Sequence, residues 1–282
     1  MHKQFICLNG EMLPSGEPSL MHDNRAFCYG DALFETIHAN GTHLQFFKDH
    51  YSRLAKGMEM LQMEKRNLPD AVMLESLLRK LLNRNHLYKG VRIRLSVFRN
   101  TGGYYTPVNN SVSWLAETTP LPADKYQLNE KGYKTGLFKE FSKKADNLAN
   151  LKTSNSMLYV LAGLHRNRHG WNDCFILNTE GRIAETISSN IFILKEGILY
   201  TPSLDEGCVA GIMRKQIIRI AETEGLECRE SIINEDDLLT ADECFLTNAI
   251  SGIRWVLAYR EKRYFSKTSR MLVSNLNNEQ FS

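Results

Sequence analysis

Two periods alternate along the chain, and the switches between them mark out its elements. "KQFICLNGEML" sets two short apolar runs about Asn9-Gly10, the residue pair that a tight hairpin turn requires, and predicts a β-hairpin. In "DHYSRLAKGMEML", Tyr51, Leu54, Met58 and Leu61 fall on one helical face, with Asp49 as the expected N-cap. A second helix is predicted after Pro69, its stripe formed by Leu74, Leu77, Leu78 and Leu81. "GVRIRLSVFR" alternates Val91, Ile93, Leu95 and Val97 with Arg92, Arg94, Ser96 and Phe98, which predicts a strand with an arginine-bearing face.

Further on, Met157, Val160, Leu161 and Leu164 predict a helix ending near Gly170. "CFILNTEGRIAE" and "NIFILKEGILYTP" read as two hairpins. "GIMRKQIIRIAETEG" reads as a helix with Met213, Ile217, Ile220 and Ala221 on one face and Gly225 as its stop. "ADECFLTNAISGIRWV" reads as a strand entering a loop. The stretch "ETTPLPADKY" breaks the patterning with two prolines and suits a linker. The expected division is a smaller N-terminal α/β domain over 1–117, a linker over 118–126 and a larger domain over 127–282, in an α+β mixture.

Composition narrows the classes. The 282 residues, 43% hydrophobic and 24% charged, suit a soluble globular protein of one large or two modest domains. A net charge of +3 is too small to suggest nucleic acid or an anionic membrane as a partner. No apolar run approaches the ~20 residues that span a bilayer, and "MHKQFICLNGEML" lacks a signal-peptide layout, so a cytoplasmic protein is expected. Cys7, Cys28, Cys174, Cys208, Cys228 and Cys244 are scattered without a C-x-x-C pair, so buried free thiols are expected and a zinc site is not.

Candidate chemistry begins at "NLANLKTSNSML". Lys152 stands just ahead of a predicted helix, where the dipole is positive and a cation is unwelcome, as suits an amine that must lose its proton and react. Glu185 follows in "RIAETISSN", with Asn190 five residues on. In "GCVAGIMR", Gly207 and Gly211 bracket a helix start whose free N–H groups can cradle a phosphate. Arg53 is placed in the first turn of the earlier helix, where a cation is disfavoured unless an anion lies nearby. Each has an ordinary reading when taken singly: solvated lysine, strand glutamate, turn glycine.

Their order and spacing resemble the class-IV aminotransferase family of fold-type IV pyridoxal phosphate enzymes. That family contains branched-chain aminotransferases, D-amino acid aminotransferases and aminodeoxychorismate lyases. "YGDALFETI" from Tyr29, "DHYSRL", Lys152 with Asn155, "ETISSNIF", "GIMR" and "ADECFLTNAI" carry the resemblance, from about residue 5 to at least residue 255. It implies a two-domain D-amino acid aminotransferase-like fold with the cofactor in the interdomain cleft, 127–282 as the cofactor-binding domain, and a homodimer. Lys152 would bond the cofactor aldehyde and move the substrate proton, and Glu185 would face the pyridine nitrogen. Arg53, the backbone of Ile212 and Met213, Asn190, Asn248 and Ala249 would complete the cofactor site.

Within the family the branches remain open, with a tilt toward the lyase. Met157 stands where the branched-chain enzymes carry tyrosine, Met213 where aminotransferases carry a hydroxyl residue, and Ala249 where they place a phosphate-binding threonine. "VFRNTGGYY" resembles a lyase stretch, but Tyr104 replaces a second arginine. Arg94, Arg99 and Tyr29 are the candidate contacts for an amino-bearing small carboxylate. The expected reaction is release of p-aminobenzoate and pyruvate from aminodeoxychorismate. The alternatives are transamination of a branched-chain L- or D-amino acid with a 2-oxo acid, and a relative that has lost chemistry.

Overall fold

The computed structural model describes residues 4–16 and 20–281, which form two compact units. Unit 1 comprises Met1–Lys125 with Leu151–Asn155, and unit 2 comprises Tyr126–Asn150 with Ser156–Ser282. Two sequence-based boundaries need correction. Residues 118–120 belong to a strand, because their backbone pairs with Val91, Arg92 and Ile93, so the expected linker over 118–126 starts too early. Lys152, expected in the 127–282 domain, lies in the segment that joins unit 1, through a bridge of Thr153 to Leu33 and a bond from Ser154 N–H to Ala32 O.

Unit 1 runs β1 (Phe5–Leu8), β2 (Glu11–Pro14), α1 (Arg25–Tyr29), β3 (Ala32–Asn40), β4 (His43–Leu44), α2 (Phe47–Met60), α3 (Ala71–Arg84), β5 (Gly90–Arg99) and β6 (Val112–Pro120). Among the described residues its sheet is six-stranded, ordered β2-β1-β6-β5-β3-β4 and antiparallel throughout. Asn9 and Gly10 both take positive φ in the first turn, as the hairpin signal required. The leucine stripe of α3 (Leu74, Leu78, Leu81) packs with Leu54 and Met58 of α2 against Ile37, Ile93, Leu95 and Val97. Asp70 caps α3 by accepting from Met73 N–H at 2.8 Å. α2 differs from expectation: it opens at Phe47 behind Phe46 in a left-handed conformation, so Asp49 is inside the first turn rather than at the N-cap.

Unit 2 runs β7 (Tyr133–Lys143), α4 (Met157–His169), β8 (Asp173–Asn178), β9 (Ile183–Thr186), β10 (Asn190–Lys195), β11 (Ile198–Pro202), α5 (Ile212–Thr223), β12 (Cys228–Ser231), α6 (Glu235–Thr240), β13 (Glu243–Asn248), β14 (Gly252–Tyr259), β15 (Lys262–Arg263) and α7 (Lys267–Phe281). Among the described residues the sheet order is β12-β11-β10-β13-β14-β7-β8-β9, with β15 beside β14. "ADECFLTNAISGIRWV" is thus a strand, a turn and a second strand. Successive residues of β7 and β8 feed opposite faces. Leu137 and Phe175 pack with Leu238 of α6, while Phe138, Cys174 and Ile176 pack with Ala162 of α4.

α4 ends where expected, at a left-handed Gly170. Its predicted stripe behaves differently: Met157, Val160 and Leu164 are exposed, and only Ala162 of the helix is fully buried. The cysteines are free, with Cys7, Cys174, Cys208 and Cys244 buried, Cys228 half-buried and Cys28 exposed. Among the described residues no helix is long and apolar enough to cross a membrane, and no cluster of metal-ligating side chains occurs.

Candidate active site

Unit 1 builds a buried charged group beneath its sheet. Glu35 shares one face of β3 with Leu33 and Ile37, so its carboxylate points into an otherwise apolar face and is 1% exposed. One turn apart on α2, His50 and Arg53 converge on it. His50 Nδ1 lies 2.6 Å from Oε2, and Arg53 binds through two parallel bonds, Nε to Oε1 at 2.8 Å and Nη2 to Oε2. Burial pushes the Glu35 carboxyl up, but Arg53 and His50 outweigh it and hold the group at about 2. Burial lowers His50, and Arg53 and Lys152 add to that against the pull of Glu35. Arg53 is therefore a mid-helix residue on a carboxylate, not a first-turn cation as expected. Glu35 and His50 escaped the sequence reading; a lone carboxylate among alternating apolar β3 positions was the available signal.

Lys152 lies outside any helix or strand and not against the first turn of α4, which opens at Met157 behind Ser156. Its carbonyl accepts from Phe34 N–H at 2.9 Å, and its Nζ stands 4.5 Å from the Phe34 ring centroid. Arg94 covers the same ring at 4.0 Å and approaches Glu117 at 4.0 Å. Burial lowers the Arg94 guanidinium, Arg92 reinforcing this and Glu117 opposing it. Unit 1 thus brings Lys152, Arg94 and the Arg53 group around one stretch of β3.

Arg99 does not join them, and its proposed role as a carboxylate contact is corrected by its partners. It is buried, with Nε on Asp31 at 2.9 Å, Nη2 on Leu61 O at 2.7 Å and Nη1 on Asn110 Oδ1, so its donors are committed internally. Asp31 Oδ2 also takes Arg25 Nε at 2.9 Å, and Arg25 holds Tyr104 O at 2.6 Å. Arg25 thereby ties down the 102–104 turn. Tyr29 lies under Arg25, with its ring centroid 5.6 Å from that of Tyr105.

Unit 2 gathers the other candidates. Glu185 is 3% exposed; Tyr159 OH donates to its Oε1 at 2.7 Å, Val209 N–H donates to its Oε2 at 2.9 Å, and Lys143 Nζ also reaches Oε1. Asn190 donates to Val209 O at 2.8 Å and so fixes the chain entering α5. A methyl group at Gly211 would come within 1.9 Å of Asn190 Oδ1, so only glycine fits there. The Gly211 end of α5 has no side-chain cap, leaving the first N–H groups, those of Ile212 and Met213 among them, without one. Asn248 closes its own turn by accepting from Ile250 and Ser251 N–H, donates to Ser189 Oγ, and precedes Ala249, whose carbonyl takes the Tyr126 hydroxyl. Lys143 and Tyr159 were missed because nothing in their spacing marks them as partners of Glu185.

These features suit a phosphate-bearing heteroaromatic ring: a bare helix end for the phosphate and a buried carboxylate for a protonated ring nitrogen. The model of the amino-transferase class IV family matches residues 32–259. The chain belongs to the class IV aminotransferases. They are pyridoxal phosphate-dependent aminotransferases and lyases with the fold-type IV architecture, and this chain has that fold. It is 30% identical over 255 residues to a putative branched-chain-amino-acid aminotransferase of Methanocaldococcus jannaschii, covering 88% of this chain and 85% of that one. It is 27% identical to the aminodeoxychorismate lyase of Vibrio harveyi, covering 90% and 94%. The crystal structure of the Escherichia coli branched-chain amino acid aminotransferase superposes with a TM-score of 0.87 at 23% identity, covering 99% and 95%.

Proposed function

We propose that this class IV aminotransferase is a pyridoxal 5'-phosphate-dependent aminodeoxychorismate lyase, releasing p-aminobenzoate and pyruvate. The observation that carries the cofactor assignment is the Glu185 carboxylate, held by Val209 in the chain that leads into the uncapped start of α5. Bound there, pyridoxal phosphate supplies an electron sink for the carbon that bears the substrate's amino group. Lys152 would hold the cofactor through its aldehyde, and its amine would serve as the base that takes the proton from that carbon. As the pyruvate portion departs and the ring becomes aromatic, the same amine returns the proton to the leaving fragment. Glu185 holds the ring nitrogen protonated. The N–H groups of Ile212 and Met213 would hold the phosphate, with Asn190, Asn248 and Ala249 shaping the chain beside it, while Arg53 is committed to Glu35. Arg94 takes a substrate carboxylate.

The tilt toward the lyase rests on Met157, Met213 and Ala249 together, and Ala249 offers no hydroxyl in the turn that Asn248 closes. Transamination with a 2-oxo acid is the second reading, favoured by the 30%-identical relative named a branched-chain aminotransferase. A homodimer would cover the exposed Met157, Val160 and Leu164.

Borohydride reduction of the cofactor-loaded chain, followed by peptide mapping, is expected to place the label on Lys152. A label on Lys143 or Lys144 would refute the assignment. Incubation with aminodeoxychorismate and no keto acid is expected to yield p-aminobenzoate and pyruvate. Rapid amino transfer from branched-chain or D-amino acids to 2-oxoglutarate, without p-aminobenzoate, would establish the second reading.

A further inference from the structure

Lys143 ends β7 with its side chain turned inward, 8% exposed. Its Nζ donates to Glu185 Oε1 and to Ala149 O at 3.0 Å, and stands 5.6 Å from the Tyr159 ring centroid. This position is built by an irregular strand. Between the pairs Phe138–Ile176 and Lys143–Asn178, β7 advances further than β8, and a second register shift separates Ile176 from Leu177 opposite β9. Such bulges re-aim a side chain at the cost of ladder hydrogen bonds. Burying a lysine is itself expensive, and a buried ion pair is weak evidence of a stabilising role. Three donors therefore converge on one carboxylate, and only one of them carries charge.

We propose that Lys143 is a positioning residue for Glu185, its ammonium keeping that buried carboxylate ionised and fixed between Tyr159 and Val209. The consequence for a ring nitrogen rests on the role assigned to Glu185 above; the pairing does not. The other titratable groups around the carboxylate supply no proton switch. Burial and the Glu185 charge push the Tyr159 hydroxyl far above its ordinary range. Burial pushes the Cys208 thiol up to about 12, Glu185 adding to this while Arg214 and Lys143 oppose it. Both stay neutral and protonated at neutral pH. Without Lys143 the carboxylate would be a buried charge lacking its ion partner, and it would take up a proton instead.

Infrared difference spectroscopy on the cofactor-free full chain tests this. At neutral pH, K143M is expected to show a protonated-carboxyl band that the parent lacks, that disappears in K143M/E185Q and that K143R does not show. A folded K143M, with the parent's near-UV circular dichroism and no such band, would overturn the proposal. Binding of 4-deoxypyridoxine phosphate, which has no aldehyde and cannot bond to any lysine, separates this from the ring-nitrogen role. The parent is expected to bind it with little pH dependence, whereas K143M must release a proton and so weakens about tenfold for each pH unit lowered. The carboxyl band together with unchanged, pH-independent binding would support the role of Lys143 and sink the ring-nitrogen role of Glu185.

Discussion

Two buried carboxylates in this protein respond to acid in opposite senses. Glu35 is held at about 2, below its ordinary 4.5, because Arg53 and His50 outweigh the burial that would raise it. A lowered folded value stabilises above 4.5, and the gain is lost as pH falls toward 2; a shift of this size corresponds to about 3 kcal/mol. In urea titrations, the stability gap between the parent and E35Q is expected to narrow as pH drops from 6 to 3 (about half the gap lost). A gap constant over that range would show that the ion pair contributes nothing. Asp173 runs the other way, raised by burial to about 6 despite the N–H groups of Cys174 and Ile187 and the hydroxyl of Thr186. Its contribution is full below its ordinary 3.8 and disappears as pH rises through 6. D173N is therefore expected to gain melting temperature relative to the parent on going from acid to neutral pH. Equal differences at both would refute a buried charge there. Glu35 was legible only as a polar residue in an apolar alternation; its partners His50 and Arg53 were visible as a helical face, but the pairing joins elements distant in sequence.

Two glycines of unit 2 make contrasting demands on their elements. Gly211 opens α5 where a methyl group would strike Asn190 Oδ1 at 1.9 Å. G211A is expected to break the Asn190–Val209 bond, destabilise by about 1–3 kcal/mol and weaken cofactor phosphate binding at least tenfold by fluorescence titration. Unchanged affinity would remove the α5 start from the phosphate site. Gly163 sits inside α4 with nothing within 4 Å of an added methyl. G163A is therefore expected to stabilise by about 0.5–1 kcal/mol, and a loss in thermal denaturation would reveal contacts on that face. The element pattern explains why these helices were readable. Periodicity and end signals located α3 and α5, and the Gly170 stop marked the end of α4, whereas the start of α2 was misplaced because Phe46 enters it through a backbone conformation that no residue preference announced.

At the scale of the whole molecule, α4 presents Met157, Val160 and Leu164 outward, and Met157 is 65% exposed. Such a stripe keeps apolar surface in water unless another surface covers it. V160D/L164D is expected to shift sedimentation from dimer to monomer at micromolar concentration, and a parent that already sediments as a monomer would refute the homodimer. The local pattern determined most strands and helices of both units, because burial of one face imposes a period of two or 3.6 wherever an element packs. The order of the separated motifs determined the family, as the match over residues 32–259 shows. Only the tertiary structure decided that residues 151–155 join unit 1, that Arg99 is spent on Asp31, Leu61 and Asn110, and that Lys143 meets Glu185. Each of those outcomes depends on where a hydrogen-bond donor finds its acceptor across long stretches of chain, and side-chain periodicity carries no record of that.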